Sequence, residues 1–136
     1  MAYRFPSDEW VKAMAAEINR SEPYRKSATK WEGDFYFVVE PGPGLPEPVY
    51  LYLDLWHGEA RAAGAVATAE EKNPEFIIRA PLATWKRVIE KKLDPIQGMI
   101  TGQLKLKGTM SKIMRFPKAA SELVNCATLV PTEFPE

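Results

Sequence analysis

The clearest alternation of apolar and polar positions lies in VYLYLDLW, where Val49, Leu51, Leu53 and Leu55 share one face and Tyr50, Tyr52, Asp54 and Trp56 the other. That period of two predicts a half-buried strand. DFYFVVE (34–40), dense in aromatic and β-branched residues, predicts a second strand. In PEFIIRA, Phe76 and Ile78 alternate with Ile77 and Arg79, a further strand. Between the first two lies PGPGLPEP (41–48), four prolines and two glycines in eight residues, which can be neither helix nor central strand and is read as a hairpin loop. His57-Gly58 predicts a tight turn. The alanines of the following EARAAGAVATAEE suit a helix, but its place after the turn and Gly64 favour a strand of small side chains.

A helical period governs much of the rest. In FPSDEWVKAMAAEINR, Ser7 is placed to cap a helix, Asp8 and Glu9 fall in its first turn, and Trp10, Val11, Met14 and Ile18 share one face. Ser21 and Pro23 open a shorter helix with Tyr24 and Ala28 inward. PLATWKRVIEKKL predicts a helix burying Leu82, Trp85, Val88 and Ile89, with Lys86, Arg87, Lys91 and Lys92 towards its outer side. Asp94-Pro95 starts another through Ile96, Met99 and Ile100, ended by Gly102.

Then comes QLKLKGTMSKIMRF (103–116). Leu104 and Leu106 alternate with Gln103, Lys105 and Lys107, a strand. Gly108 breaks it, Thr109 is placed as an N-cap, and Met110, Ile113 and Met114 fall at i, i+3 and i+4 of a short helix. Pro117 restarts a helix with Ala120, Leu123 and Val124 inward, and the tail TLVPTEFPE is expected to be irregular. Strands in meander followed by helix, helix, strand and helix describe an α+β fold, with one mainly antiparallel sheet of about five strands covered on one face by helices.

A chain of 136 residues fits a single domain over 1–136, large enough for a core without staples. One cysteine, Cys126, excludes an internal disulfide and a cysteine metal cluster, and fits a reducing compartment. No signal segment or membrane-length apolar run is present, so a cytoplasmic location is expected. The zero net charge is unevenly spread. Residues 1–78 carry 8 Lys and Arg against 13 Asp and Glu, 79–118 carry 10 against 2, and 119–136 carry 0 against 3. The basic block can attract anionic membranes or phosphate-bearing headgroups. No nucleic-acid motif accompanies it, and no nucleic-acid partner is expected.

Catalytic machinery is sparse. The one histidine, His57, has Asp54 and Glu59 as flanking carboxylates, but a turn position explains it as well. There is no phosphate loop, metal-ligand spacing or nucleophile elbow, so no metal, cofactor or catalytic residue is expected. The chain reads as a binding protein. Met99, Met110 and Met114 fall within sixteen residues, and flexible thioethers suit surfaces that repack around varied apolar ligands, although core filling accounts for each singly. An exposed row of Tyr50, Tyr52 and Trp56 would instead favour a docking or dimerisation domain.

The succession EFIIRAPLATWKRVI, KLDPIQGMITGQLKLKG and MSKIM resembles the sterol carrier protein type-2 lipid-transfer family, with Asp94-Pro95, Gly102, Leu104, Lys105, Gly108 and Met110 at its motif positions. The resemblance covers about residues 8–125. It implies five strands, helices on one side, and a hydrophobic tunnel between the layers that holds a fatty acid, fatty acyl-CoA or other lipid without chemistry. The implied tunnel residues are Phe76, Ile78, Trp85, Ile89, Met99, Ile100, Leu104, Leu106, Met110, Ile113 and Met114. Lys105, Lys107 and Lys112 are the candidates for headgroup contact. A homodimer and a transient contact with anionic membranes are further expectations. The chain ends in Glu-Phe-Pro-Glu, unlike the Ser-Lys-Leu-type address of peroxisomal members, and a straight acyl chain is expected ahead of a sterol.

Overall fold

The computed structural model describes residues 2–135; Met1 and Glu136, the last residue of the expected irregular tail, lie outside them. A two-residue strand β1 (Tyr3–Arg4) precedes helices α1 (Asp8–Arg20) and α2 (Glu22–Ser27). Strands β2 (Glu32–Glu40), β3 (Val49–Trp56), β4 (Glu59–Val66) and β5 (Phe76–Pro81) follow. Helices α3 (Leu82–Ile89) and α4 (Pro95–Ile100), strand β6 (Lys105–Lys107), helices α5 (Met110–Met114) and α6 (Pro117–Leu129), and strand β7 (Thr132–Glu133) complete the chain.

The serines and Asp94 cap as their positions require. Ser7 Oγ accepts from Trp10 N at 3.1 Å, Ser21 Oγ from Tyr24 N at 3.1 Å, and Asp94 Oδ2 from Gln97 N at 3.0 Å. Thr109 occupies the cap position of α5 but makes no side-chain bond there. In the loop after β2, Gly42 and Leu45 exchange backbone hydrogen bonds of 2.8 and 2.9 Å, closing the expected hairpin. His57 and Gly58 take φ of 50° and 84°, the paired positive values of a two-residue turn between twisted antiparallel strands.

The main sheet has the order β4-β3-β2-β5-β6. β2/β3, β3/β4 and β5/β6 are antiparallel, whereas β2/β5 is parallel. The sheet is therefore mainly antiparallel, as expected, with one parallel pair because the chain must cross from β4 at one edge to β5 on the far side of β2. The crossing segment passes over the sheet face opposite the main core. There the Tyr36 hydroxyl accepts from Lys72 N at 2.8 Å and donates to Lys72 O at 3.2 Å.

Alternation sorts the side chains. Phe35, Phe37, Val39, Leu51, Leu53, Leu55, Phe76, Ile78 and Ala80 belong to the large core shared with the helices, while Tyr36, Val38, Tyr50, Tyr52 and Ile77 form a small cluster on the other face. The aromatic row on β3, whose exposure would favour a docking domain, is largely covered. Tyr52 is buried, its hydroxyl donates to Asp34 Oδ2 at 2.7 Å, and the Lys72 ammonium lies over its ring. Tyr50 and Trp56 are half-buried, the latter beneath the Arg61 guanidinium at 4.3 Å. The crossing loop and these cations cover what alternation alone leaves facing water.

The tail also departs from expectation. α6 continues through Leu129, and Thr132–Glu133 pairs in parallel with Tyr3–Arg4, held by Tyr3 N to Pro131 O at 2.8 Å and Phe5 N to Glu133 O at 2.9 Å. Among the described residues of the tail, Val130, Pro131, Phe134 and Pro135 stay irregular. The strap brings Phe5 into the core, where it meets Trp10 edge-on at 4.7 Å.

A candidate lipid cavity between the sheet and the helices

A row of aromatic rings runs along the core face of the sheet. Trp31 stacks on Phe35 at 5.7 Å and Phe35 on Phe37 at 5.3 Å, and Trp85 meets Phe37 edge-on at 5.7 Å. Phe116 closes the other end edge-on to Trp31 at 5.2 Å. Above the row, on the helix side, lies a cavity of about 110 Å³. Phe35, Phe37, Leu51, Ile78 and Leu104 contribute its sheet side. Trp10 and Met14 of α1, Trp85, Val88 and Ile89 of α3, Pro95 and Met99 of α4, and Ile113 of α5 surround it. Ala120, Leu123, Val124 and Ala127 of α6 form a long wall, and Phe5 closes one corner.

Every lining residue is apolar. The two indole N–H groups on the wall are satisfied by the protein, Trp85 Nε1 donating to Val38 O at 3.0 Å and Trp10 Nε1 to Thr132 Oγ1 at 2.9 Å. The cavity thus offers dispersion and desolvation, with no charge and no free hydrogen-bonding side chain.

Of the residues expected at a tunnel, the structure brings Ile78, Trp85, Ile89, Met99, Leu104 and Ile113 together on this wall. The other five lie elsewhere. Phe76 is fully buried on the same sheet face but packs against Trp31 and Phe35, and Leu106 is half-buried against the core without reaching the cavity. Met110 is half-buried, and Met114 and Ile100 are 50% and 56% exposed. The flexible methionine wall expected of α5 is therefore replaced by α6. With only five residues, α5 turns Ile113 inward, leaving Met110 half-buried and Met114 exposed, neither at the cavity. Met14, on α1, supplies a thioether that the clustering of the other methionines does not indicate.

The lysines separate as well. Lys105 and Lys107 pair in register with Arg79 and Ile77, positions that face away from the cavity side, and both are exposed. Lys112 is engaged, its Nζ lying 2.8 and 3.0 Å from the Glu75 carboxylate oxygens and 2.5 Å from Glu32 O, with the ammonium over the Trp31 ring. Seven other cations of the basic block (Lys86, Arg87, Lys91, Lys105, Lys107, Arg115 and Lys118) have no carboxylate partner among the described residues. His57 does not pair with Asp54 or Glu59. Its Nε2 lies 2.5 Å from Glu32 Oε2, Asp54 is held by Arg61 at 3.1 Å, and none of these side chains lines the cavity.

An apolar cavity thus lies under a helical layer on a five-stranded sheet. The family model described as the SCP-2 sterol transfer family matches residues 11–121, and the chain belongs to that family. Among solved structures, one described as a crystal structure of sterol carrier protein 2 is 42% identical, covering 91% of this chain and 97% of that one, with a TM-score of 0.84. A Thermus thermophilus protein whose solution structure is described as that of a candidate sterol carrier is 41% identical (92% and 88% covered, TM-score 0.83). Palmitated SCP2L2 from Aedes aegypti shares the fold at 15% identity (84% and 94% covered, TM-score 0.59). A comparison with curated protein sequences gives no significant match. Among the described residues, no helix is long and apolar enough to cross a membrane.

Proposed function

We propose that this chain carries a fatty acid or fatty acyl-CoA, its hydrocarbon in the cavity above the aromatic row, without altering it chemically. The observation that carries the reading is the wholly apolar wall, with even its indole N–H groups turned to protein acceptors. A buried carboxylate or sterol hydroxyl would be left unpaired there, at a cost of several kcal/mol on the order of a lost buried hydrogen bond or more. A plain acyl chain loses nothing, and each methylene contributes about 0.8 kcal/mol of gross transfer energy. The polar end therefore stays outside. The palmitated relative from Aedes aegypti lends the choice of acyl chain support at the level of the shared fold.

A cavity of about 110 Å³ compares with the engineered cavity of about 150 Å³ that admits benzene. It takes part of a long chain, and the rest requires a wall to yield. The protein works in the cytoplasm on this reading, and exchanges its cargo at anionic membranes. The unpaired cations of 79–118 and the exposed Ile100 and Met114 support such an encounter.

The test is extraction of the purified protein into organic solvent with mass spectrometry, followed by displacement of a fluorescent fatty acid with palmitate, palmitoyl-CoA and cholesterol. Palmitate and palmitoyl-CoA should displace the probe at micromolar concentrations, with cholesterol much weaker. No probe binding, or displacement by cholesterol alone, would overturn the reading.

A further inference from the structure

A second apolar void of about 30 Å³ lies beside the main cavity, lined by Tyr24, Trp31, Leu55, Phe116 and Ala119 together with four residues that the two share. The shared residues are Phe35, Ile113, Ala120 and Leu123. Both voids lie beneath α6, the small one from Ala119 to Leu123 and the large one from Ala120 to Ala127. Eight residues of helix separate Ala119 from Ala127, about 12 Å at 1.5 Å per residue. The aromatic row makes a continuous floor for both, with Phe116 and Trp31 at the small void, Phe35 at the boundary, and Phe37 and Trp85 at the large one.

Resting on the acyl-chain reading, we propose that Ile113 and Leu123 form a movable partition across one latent channel, and that this partition sets how long a hydrocarbon chain the protein holds. The four shared residues are not equivalent. Phe35 is fixed, stacked on Trp31, Phe37 and Phe76. Ala120 is already small. The bulk that separates the voids therefore comes from Ile113 and Leu123. Leu123 is only half-buried, so its γ-branched side chain has somewhere to go. Ile113 is stiff at χ1, but it rides on a five-residue helix that lacks a side-chain cap bond and has both flanking methionines partly outside. It moves with α5 rather than by its own rotamer. A short chain fills the large cavity and leaves the partition closed, whereas a longer one displaces Leu123 and enters the space against Trp31, Phe116 and Tyr24.

The experiment is a displacement series from octanoate to stearate against one fluorescent fatty acid, for the wild-type chain, Leu123→Ala, Ile113→Ala and Leu123→Phe, each first checked by a cooperative thermal melt. Both alanine variants should shift the preference towards longer chains. Two further methylenes buried without displacing the partition raise affinity on the order of tenfold. Leu123→Phe should shift the preference towards shorter ones. Because Leu123 is partly exposed, its two variants test the idea even if Ile113→Ala does not fold. Chain-length profiles that superimpose on wild type in the folded variants overturn the partition while leaving the carrier reading intact. Failure of the wild type to bind any fatty acid overturns both.

Discussion

Asn19 grips both backbone groups of Ala60 across 41 residues of sequence: its Nδ2 donates to Ala60 O at 3.1 Å and its Oδ1 accepts from Ala60 N at 2.8 Å. Ala60 lies on β4, one of the two edge strands of the main sheet, and at the other end of α1 Asp8 Oδ1 accepts from Ala65 N at 2.9 Å. A helix thus supplies, through side chains, the partners that an adjoining strand would supply. An open edge of backbone donors and acceptors invites pairing with another chain. Asn19→Ala should lower stability by about 1–2 kcal/mol for two exposed hydrogen bonds, read from urea melts, and should increase light scattering at high concentration. An unchanged midpoint and unchanged scattering would remove this role.

Gly108 joins β6 to α5 at φ 134°, a region L side chains rarely adopt, and a Cβ there would sit 2.6 Å from Phe76 Cδ1 and 3.1 Å from Glu75 O. Phe76 cannot give way easily, since Phe35 and Trp31 pack against it. Gly108→Ala combines backbone strain with overpacking and should cost about 2–4 kcal/mol. A denaturation midpoint within error of wild type would show that the chain relaxes around the added methyl.

How much of this was legible beforehand follows from the length of each element. β3 has eight residues with a buried face, so its alternation identifies the core side without help, and Asp94-Pro95 marks the start of α4 because a cap is a local bond. The faces of α4 and α5 were harder to read. Six and five residues give too little surface for a periodic stripe to dictate orientation, and Ile100 and Met114 end outside while their sequence neighbours Met99 and Ile113 line the cavity. Phe5 had no signal at all. Its place depends on β1 meeting β7 across nearly the whole chain, and two-residue strands have no period to read. The covered state of Tyr52 depends likewise on where the β4–β5 crossing runs, which alternation does not encode.

Lys112 is neutralised by Glu75 and packed over Trp31, with only 25% of its side chain exposed. Removing one partner of such a pair leaves the other carboxylate unmatched, so Lys112→Met should destabilise by about 1–2 kcal/mol, less than for a fully buried pair because solvent screens it. Its charge is not free for a ligand headgroup. Affinity for palmitate in the displacement assay should therefore change less than about threefold, under 1 kcal/mol. A loss of ten times or more in affinity, with the melt unchanged, would place this lysine at the headgroup after all.

The packing of α2 against α6 buries two groups that ionise in alkali. Tyr24 on α2 and Cys126 on α6 are each 1% exposed. Burial is the main cause that pushes the Tyr24 hydroxyl well above its ordinary value of 10.0, with the nearby Cys126 adding to it, and burial likewise pushes the Cys126 thiol above 9.0. Both groups are neutral when protonated, so the folded chain holds these protons more tightly than the unfolded one. Above the unfolded-state values the native state binds more protons, and stability falls as pH rises. Stability from this pair is complete below about pH 9 and is lost progressively above it, first through the thiol and then through the phenol. Thermal melts from neutral to alkaline pH should show a falling midpoint that begins near pH 9. The fall should be shallower in Cys126→Ala, where the thiol no longer titrates, and in Tyr24→Phe, where the phenol does not. If the double variant loses stability with pH as steeply as wild type, the alkaline sensitivity arises elsewhere in the fold.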